Sequence, residues 1–260
     1  MNGFTFPAHA ATAASPNPGR LTVDAVTRVF HWLLALSFVG AYATADAERW
    51  RALHVTLGYT MAGLIVFRVV WGLVGPRHAR LSALWRRLQG IGPWITGLRA
   101  GVPGVRHAQI LLLALGVACL LALTGPVALS GWITWNEWTG EWMEEVHEVL
   151  GNTLLVVVLV HVGLIALLTA QRGRGQVMPM LTGRAPGKGP DLVKSQNGLV
   201  AALLLAAVLA FWVWQWRDSP SGLVPLGSRA TASGPSSGAA ARGPGGTRRA
   251  GKRQSHDDED

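Results

Sequence analysis

The chain has 260 residues, of which 50% are hydrophobic and only 14% charged. Soluble domains carry about 25% charged residues, so this is the composition of a membrane protein. The net charge of +9 sits mostly in arginines between and after the apolar runs, where it bears on orientation and gives no reason to expect nucleic-acid binding. A single cysteine, Cys119, excludes an internal disulfide and any Cys-based zinc or iron–sulfur site.

Residues 1–20 are rich in Ala, Pro, Ser, Thr and Gly and lack the charged start and apolar core of a signal peptide, so a mobile, retained N-terminus is expected. The first apolar run covers 26–45, with Arg28 and His31 near its start, and a polar link follows at 46–53. The second run, 54–74, is closed by Gly75-Pro76, a helix stop. Residues 77–107 form an arginine-bearing connection in which 81–88 reads as a short interfacial helix. The third run is 108–129, and Thr124-Gly125-Pro126 is expected to kink or end it. The fourth is 144–170, followed by a polar, basic stretch at 171–196. The fifth, 199–216, is purely apolar and ends in Trp212, Trp214 and Trp216. Residues 218–260 are rich in Gly, Ser, Pro and Arg and read as a disordered basic tail.

The expected fold class is therefore an all-α integral membrane protein: a four-helix transmembrane bundle over 21–185 and an additional C-terminal transmembrane helix at 197–217. Loop charge predicts the orientation. The second-to-third connection holds Arg77, Arg80, Arg86, Arg87, Arg99 and Arg106, and the fourth-to-fifth holds Arg172, Arg174, Arg184, Lys188 and Lys194. The 130–146 segment has no Lys or Arg but carries Glu137, Glu141, Glu144 and Glu145. The positive-inside rule places the first two in the cytoplasm, the third outside and the N-terminus inside. Five spans then put the basic tail outside, against the sense of the same rule.

The fourth run carries two histidines, His147 and His161, fourteen residues apart. That spacing is roughly 21 Å along a helix and about 40° short of four full turns, so both imidazoles point to nearly the same side. Histidines inside lipid are costly and call for partners. His54 opens the second span at the outer side, level with His147, and His31 enters the first from the inner side, level with His161. Two bis-histidine sites at two depths are what a di-haem b-type cytochrome needs, clamped between facing helices and without a CxxCH tether. Four residues after each histidine, on the same helix face, lie Ala35, Gly58, Gly151 and Ile165. Three are small, which lets a flat porphyrin approach the backbone, although small residues also mark helix–helix contact. Arg68, fourteen residues after His54, and Arg28 beside His31 suit haem propionates; the alternative for each is snorkelling to the surface. Trp132, Trp135, Trp138 and Trp142 read as an aromatic belt, and the glutamates between them suit a positively charged redox partner. His78 and His107 in the inner connection, and His9 and His256 in the tails, read as solvent-exposed. A zinc or copper transporter would want further His, Cys or carboxylate ligands within the spans, where almost none occur.

Four stretches carry a resemblance to the bacterial cytochrome b family: Thr27-Arg-Val-Phe-His-Trp32; Leu53-His-Val-Thr-Leu-Gly-Tyr59; Gly75-Pro-Arg-His-Ala-Arg80; and Glu145-Val-His-Glu148 with His161. That family includes cytochrome b subunits of membrane-bound nickel–iron hydrogenases, formate dehydrogenase gamma subunits and stand-alone "b five-six-one" cytochromes. The resemblance covers about residues 21–185. It implies a four-helix core in the bacterial inner membrane, two b haems ligated by His31, His54, His147 and His161, and electron passage between the periplasmic side and membrane quinone. The implied partner is a hydrogenase, a dehydrogenase or a c-type cytochrome; a stand-alone quinone-linked oxidoreductase acting on a small substrate such as superoxide is the alternative. Gly101-Val-Pro-Gly-Val-Arg-His107 departs from the family's more usual form, and the fifth span and tail lie outside the resemblance.

Overall fold

The computed structural model describes residues 19–218 except His78, Val102, Pro103 and Lys188. The expectations for the N-terminal segment before Gly19, for the tail beyond Asp218 and for His9, His78 and His256 lie outside the described residues. Eight α-helices occur among them: α1 (Ala25–Ala43), α2 (Arg51–Val74), α3 (Leu81–Leu88), α4 (Ile91–Arg99), α5 (Val105–Trp135), α6 (Trp142–Arg172), α7 (Met178–Thr182) and α8 (Gly198–Asp218). Five of these regions, led by α1, α2, α5, α6 and α8, are long and apolar enough to cross a membrane. Side chains such as Val66, Val156, Leu159, Val160 and Leu203 are exposed, as expected where lipid is the solvent.

Sequence explains where most helices begin and end. The Asp24 carboxylate caps α1 by accepting from the Thr27 N–H at 2.9 Å. Gly75, before Pro76, ends α2 as expected. α3 occupies the stretch read as an interfacial helix, and α4 is a second short helix that the Gly-Pro-rich pattern had hidden. The third span departs most from expectation. α5 runs through Pro126 to Trp135, so Trp132 and Trp135 are helical and the outer connection shrinks to 136–141. A proline costs a helix one donor, and a membrane helix tolerates this where side chains and neighbours compensate. Thr124 Oγ1 donates to Leu120 O at 2.6 Å and Ser130 Oγ to Val127 O at 3.0 Å around that point.

α6 packs along α5, α5 against α2, α2 against α1, and α1 against α8. One apolar cluster joins Phe38, Ala41, Leu57, Met61 and Leu154; another joins Phe30 and Leu64 to Leu204 and Val208 of α8. Trp212 touches both clusters and donates from Nε1 to Thr60 Oγ1 at 2.9 Å. The 171–196 stretch is not a plain loop. Arg20–Leu21 (β1) pairs antiparallel with Arg184–Ala185 (β2), Leu21 O accepts from Leu192 N and Val193 N, and Ala25 N donates to Gln196 O at 3.1 Å. These bonds tie the start of α1 to the start of α8.

The bundle therefore has two distinct ends. The arginine-rich end holds the starts of α1, α5 and α8, the ends of α2 and α6, and α3, α4 and α7. The glutamate-rich end holds the start of α2 and the 136–141 connection. A cavity of about 180 Å³ there is lined by Ala52, Val55, Tyr59 and Trp135 together with Gln215 and Asp218 of α8. α8 thus runs from the arginine-rich end to the glutamate-rich end.

Candidate functional site

His54 is in the first turn of α2 and His147 in the second turn of α6. The structure brings their rings to a centroid separation of 6.1 Å with an interplanar angle of 87°. The last carbonyls of a helix have no partner in its own ladder. In the last turn of α1 the Ala41 carbonyl accepts from the capping Thr44 N–H at 3.2 Å, and it also lies 2.8 Å from His54 Nδ1. His147 Nδ1 lies 3.1 Å from the Val127 carbonyl and 3.1 Å from Ser130 Oγ, both on α5. A carbonyl can only accept, so the proton of each neutral ring sits on Nδ1 and Nε2 carries a bare lone pair. That is the tautomer a metal takes. His147 also packs closely on α5 at Gly131: a Cβ added there would sit 2.8 Å from its Cε1 and 3.1 Å from its Nδ1. At Gly58 and Gly151, one turn inward from His54 and His147, a Cβ would meet nothing within 4 Å. Neighbouring side chains therefore leave both of these positions unfilled.

Nearer the arginine-rich end lie His31 on α1 and His161 on α6. Gly116 of α5 stands beside His161, with its Cβ position 3.7 Å from Nδ1. Both Nδ1 atoms are buried with no hydrogen-bond partner among the described residues. The same holds for Arg68 Nη1, Trp71 Nε1, Arg28 Nε and Arg20 Nε, all toward the same end. Buried donors without acceptors are costly, and their gathering calls for an acceptor-rich group. The rest of the Arg28 guanidinium is engaged, donating to Leu181 O at 3.2 Å and Gln196 Oε1 at 3.4 Å. The neighbouring Trp32 donates to Met180 O at 3.1 Å, which fixes the α1 surface beside His31.

The family model described as prokaryotic cytochrome b561 matches residues 22–183, well over half of the chain. The chain belongs to the prokaryotic cytochrome b561 family. It is a multi-pass membrane b-type cytochrome of electron transfer, and haem b is the family's cofactor. No curated protein and no solved structure matches it.

The residues present fit haem b. One histidine pair faces across a gap with Nε2 free, neighbouring side chains leave the positions at Gly58 and Gly151 unfilled, and unpartnered cationic and indole donors gather near the other pair. Among the described residues no three His, Cys, Asp or Glu side chains converge; the imidazoles come in twos, which suits a planar macrocycle that already supplies four nitrogens.

His107 is exposed in the first turn of α5. Sequence reading passed over Ser130, Gly131, Gly116 and Trp71. A signal for two of them exists: Gly116 and Gly131 are fifteen residues apart on the span that precedes the histidine helix, nearly the spacing of His147 and His161. Arg51 was also passed over. It pairs with Glu48 at 3.3 Å, lies over the Trp135 ring at 5.7 Å and joins Glu137, Glu141 and Glu144 around a cavity of about 570 Å³. The glutamate-rich end therefore contains arginine, which arrives from the first connection rather than the second.

Proposed function

We propose that this cytochrome carries two b haems in its 21–185 unit and conducts electrons between a redox partner at the glutamate-rich end and membrane quinone. The observation that carries the reading is the His54–His147 pair, 6.1 Å apart and held in the ligating tautomer, with His31 and His161 set deeper on the same helices or their neighbours. His54 and His147 are then the axial ligands of one centre, and His31 and His161 of the other. Gly58 and Gly151 leave room for the macrocycle, and Arg68 offers its free donor to a propionate, with Arg28 in a supporting position. When bound, haem supplies reversible one-electron chemistry at its iron; the chain supplies ligands, spacing and a dry, apolar surround.

Loop charge orients the molecule. The arginine-rich end is cytoplasmic and the glutamate-rich end periplasmic, in the inner membrane of a bacterium, with the N-terminus inside. The cavity formed by Glu137, Glu141 and Glu144 then faces the periplasm, where a hydrogenase, dehydrogenase or c-type cytochrome with a basic face fits it best.

The test is haem content and pairing in purified protein. A pyridine haemochrome assay should return two b haems per chain. In redox titrations, His54→Ala and His147→Ala should remove the same component, and His31→Ala and His161→Ala the other. Absence of b haem, or loss of one component in both His54→Ala and His161→Ala, overturns the reading.

A further inference from the structure

α5 contributes no histidine to either pair, yet it makes the closest contacts to one of them. Ser130 is only 5% exposed, and its hydroxyl donates to Val127 O at 3.0 Å. A serine inside a helix often does this and nothing more. Here the same oxygen also lies 3.1 Å from His147 Nδ1, which is itself 3.1 Å from Val127 O. With the hydroxyl proton spent on Val127, the remaining lone pairs of Ser130 can only accept. The Nδ1–H of His147 thus meets two acceptors at once. Gly131, the next residue, gives the ring its seat against the α5 backbone.

We infer that Ser130 is a positioning residue for His147, fixing its ring and tautomer and strengthening Nε2 as a donor to iron. Polarising the Nδ1–H of a metal-bound imidazole raises ligand basicity and favours the higher-charged metal state. His54 has one such acceptor, Ala41 O, whereas His31 and His161 have none among the described residues. The centre held by His54 and His147 therefore has the lower reduction potential of the two. The inference rests on the two-centre reading above, and the two fail separately: that reading is decided by haem content and the histidine variants, this one by the Ser130 variants.

The experiment is a redox titration of the full-length, haem-loaded protein, wild type against Ser130→Ala and Ser130→Thr. Thr153→Ala, which removes an exposed hydroxyl bonded within α6, is the control. In Ser130→Ala the component that His147→Ala abolishes should shift to higher potential, with the other component and the haem count unchanged. Ser130→Thr, which keeps the hydroxyl, should stay near wild type, and so should Thr153→Ala. Loss of that haem in Ser130→Ala with retention in Ser130→Thr supports the same role. An unmoved potential, equal movement of both components, or haem loss in both Ser130 variants overturns it.

Discussion

The two histidine pairs share one helix and one face, but the protein holds them by different means. The pair at the glutamate-rich end is oriented by backbone: Ala41 O takes His54, and Val127 O with Ser130 takes His147. Among the described residues the pair toward the arginine-rich end has no such anchors, and the polar groups gathered on its side are donors in want of an acceptor. The cause is position along the helices. His54 stands where α1 ends, level with the Ala41 carbonyl of its last turn, and His147 stands against Val127 and Ser130 of α5. His31 and His161 lie within helices, and their Nδ1 atoms meet no acceptor among the described residues. One pair is thus oriented by the protein alone, while the Nδ1 atoms of the other find no acceptor among the described residues.

That contrast can be broken most sharply at two glycines. Gly131→Ala puts a methyl 2.8 Å from a His147 ring atom, whereas the Cβ of Gly116→Ala would stand at an ordinary 3.7 Å from His161. Haemochrome assays should find the first variant near one haem per chain and the second near two. Equal loss in both would mean that α5 seats the two imidazoles alike.

A smaller effect is expected at Arg68. Its positive charge, with Nη1 unpartnered, favours the reduced, electron-rich state of a nearby centre, so Arg68→Gln should lower the potential of the component that His161→Ala removes. A unit charge about 10 Å away at an effective dielectric near 20 is worth about 1.7 kcal/mol, which sets the scale of the shift. If the other component moved instead, Arg68 would belong to the wrong site.

The smallest effect concerns the fifth membrane helix, α8, which carries no histidine. Trp212→Phe and Thr60→Val each remove one end of the α2–α8 hydrogen bond. Interhelical bonds in membranes average about 0.6 kcal/mol and reach about 1.7 kcal/mol. Either variant should lower the unfolding midpoint in detergent slightly, the double variant no further than one alone, with both haem potentials unchanged. A change in potential would draw α8 into the redox unit.

Much of this molecule is legible in one dimension. Lipid admits few backbone solutions, so an apolar run of about twenty residues announces a helix, and five such runs were readable with their order and approximate limits. The fourteen-residue interval between His147 and His161 fixes their common face because helix geometry is local. What misled was also local. Pro126 reads as a stop in isolation, but neighbouring side chains and helices carry α5 another nine residues. The Gly-Pro-rich composition of 91–99 likewise conceals α4.

By itself the sequence determined the membrane-spanning class, the number of spans, the depths of the four histidines and the sign of charge in most of the connections, because each depends only on composition and helical period. Tertiary structure alone decided which carbonyls reach which imidazoles, that Gly131 and Ser130 serve His147, that Arg28 is drawn to Leu181 and Gln196 while Arg68 keeps an unpartnered donor, and that Arg51 enters the glutamate-rich cavity. Those facts depend on how helices distant in sequence are rotated and offset against one another. Packing sets that rotation through contacts such as Gly40 on Leu57 and Trp212 on Thr60, which no interval along the chain encodes.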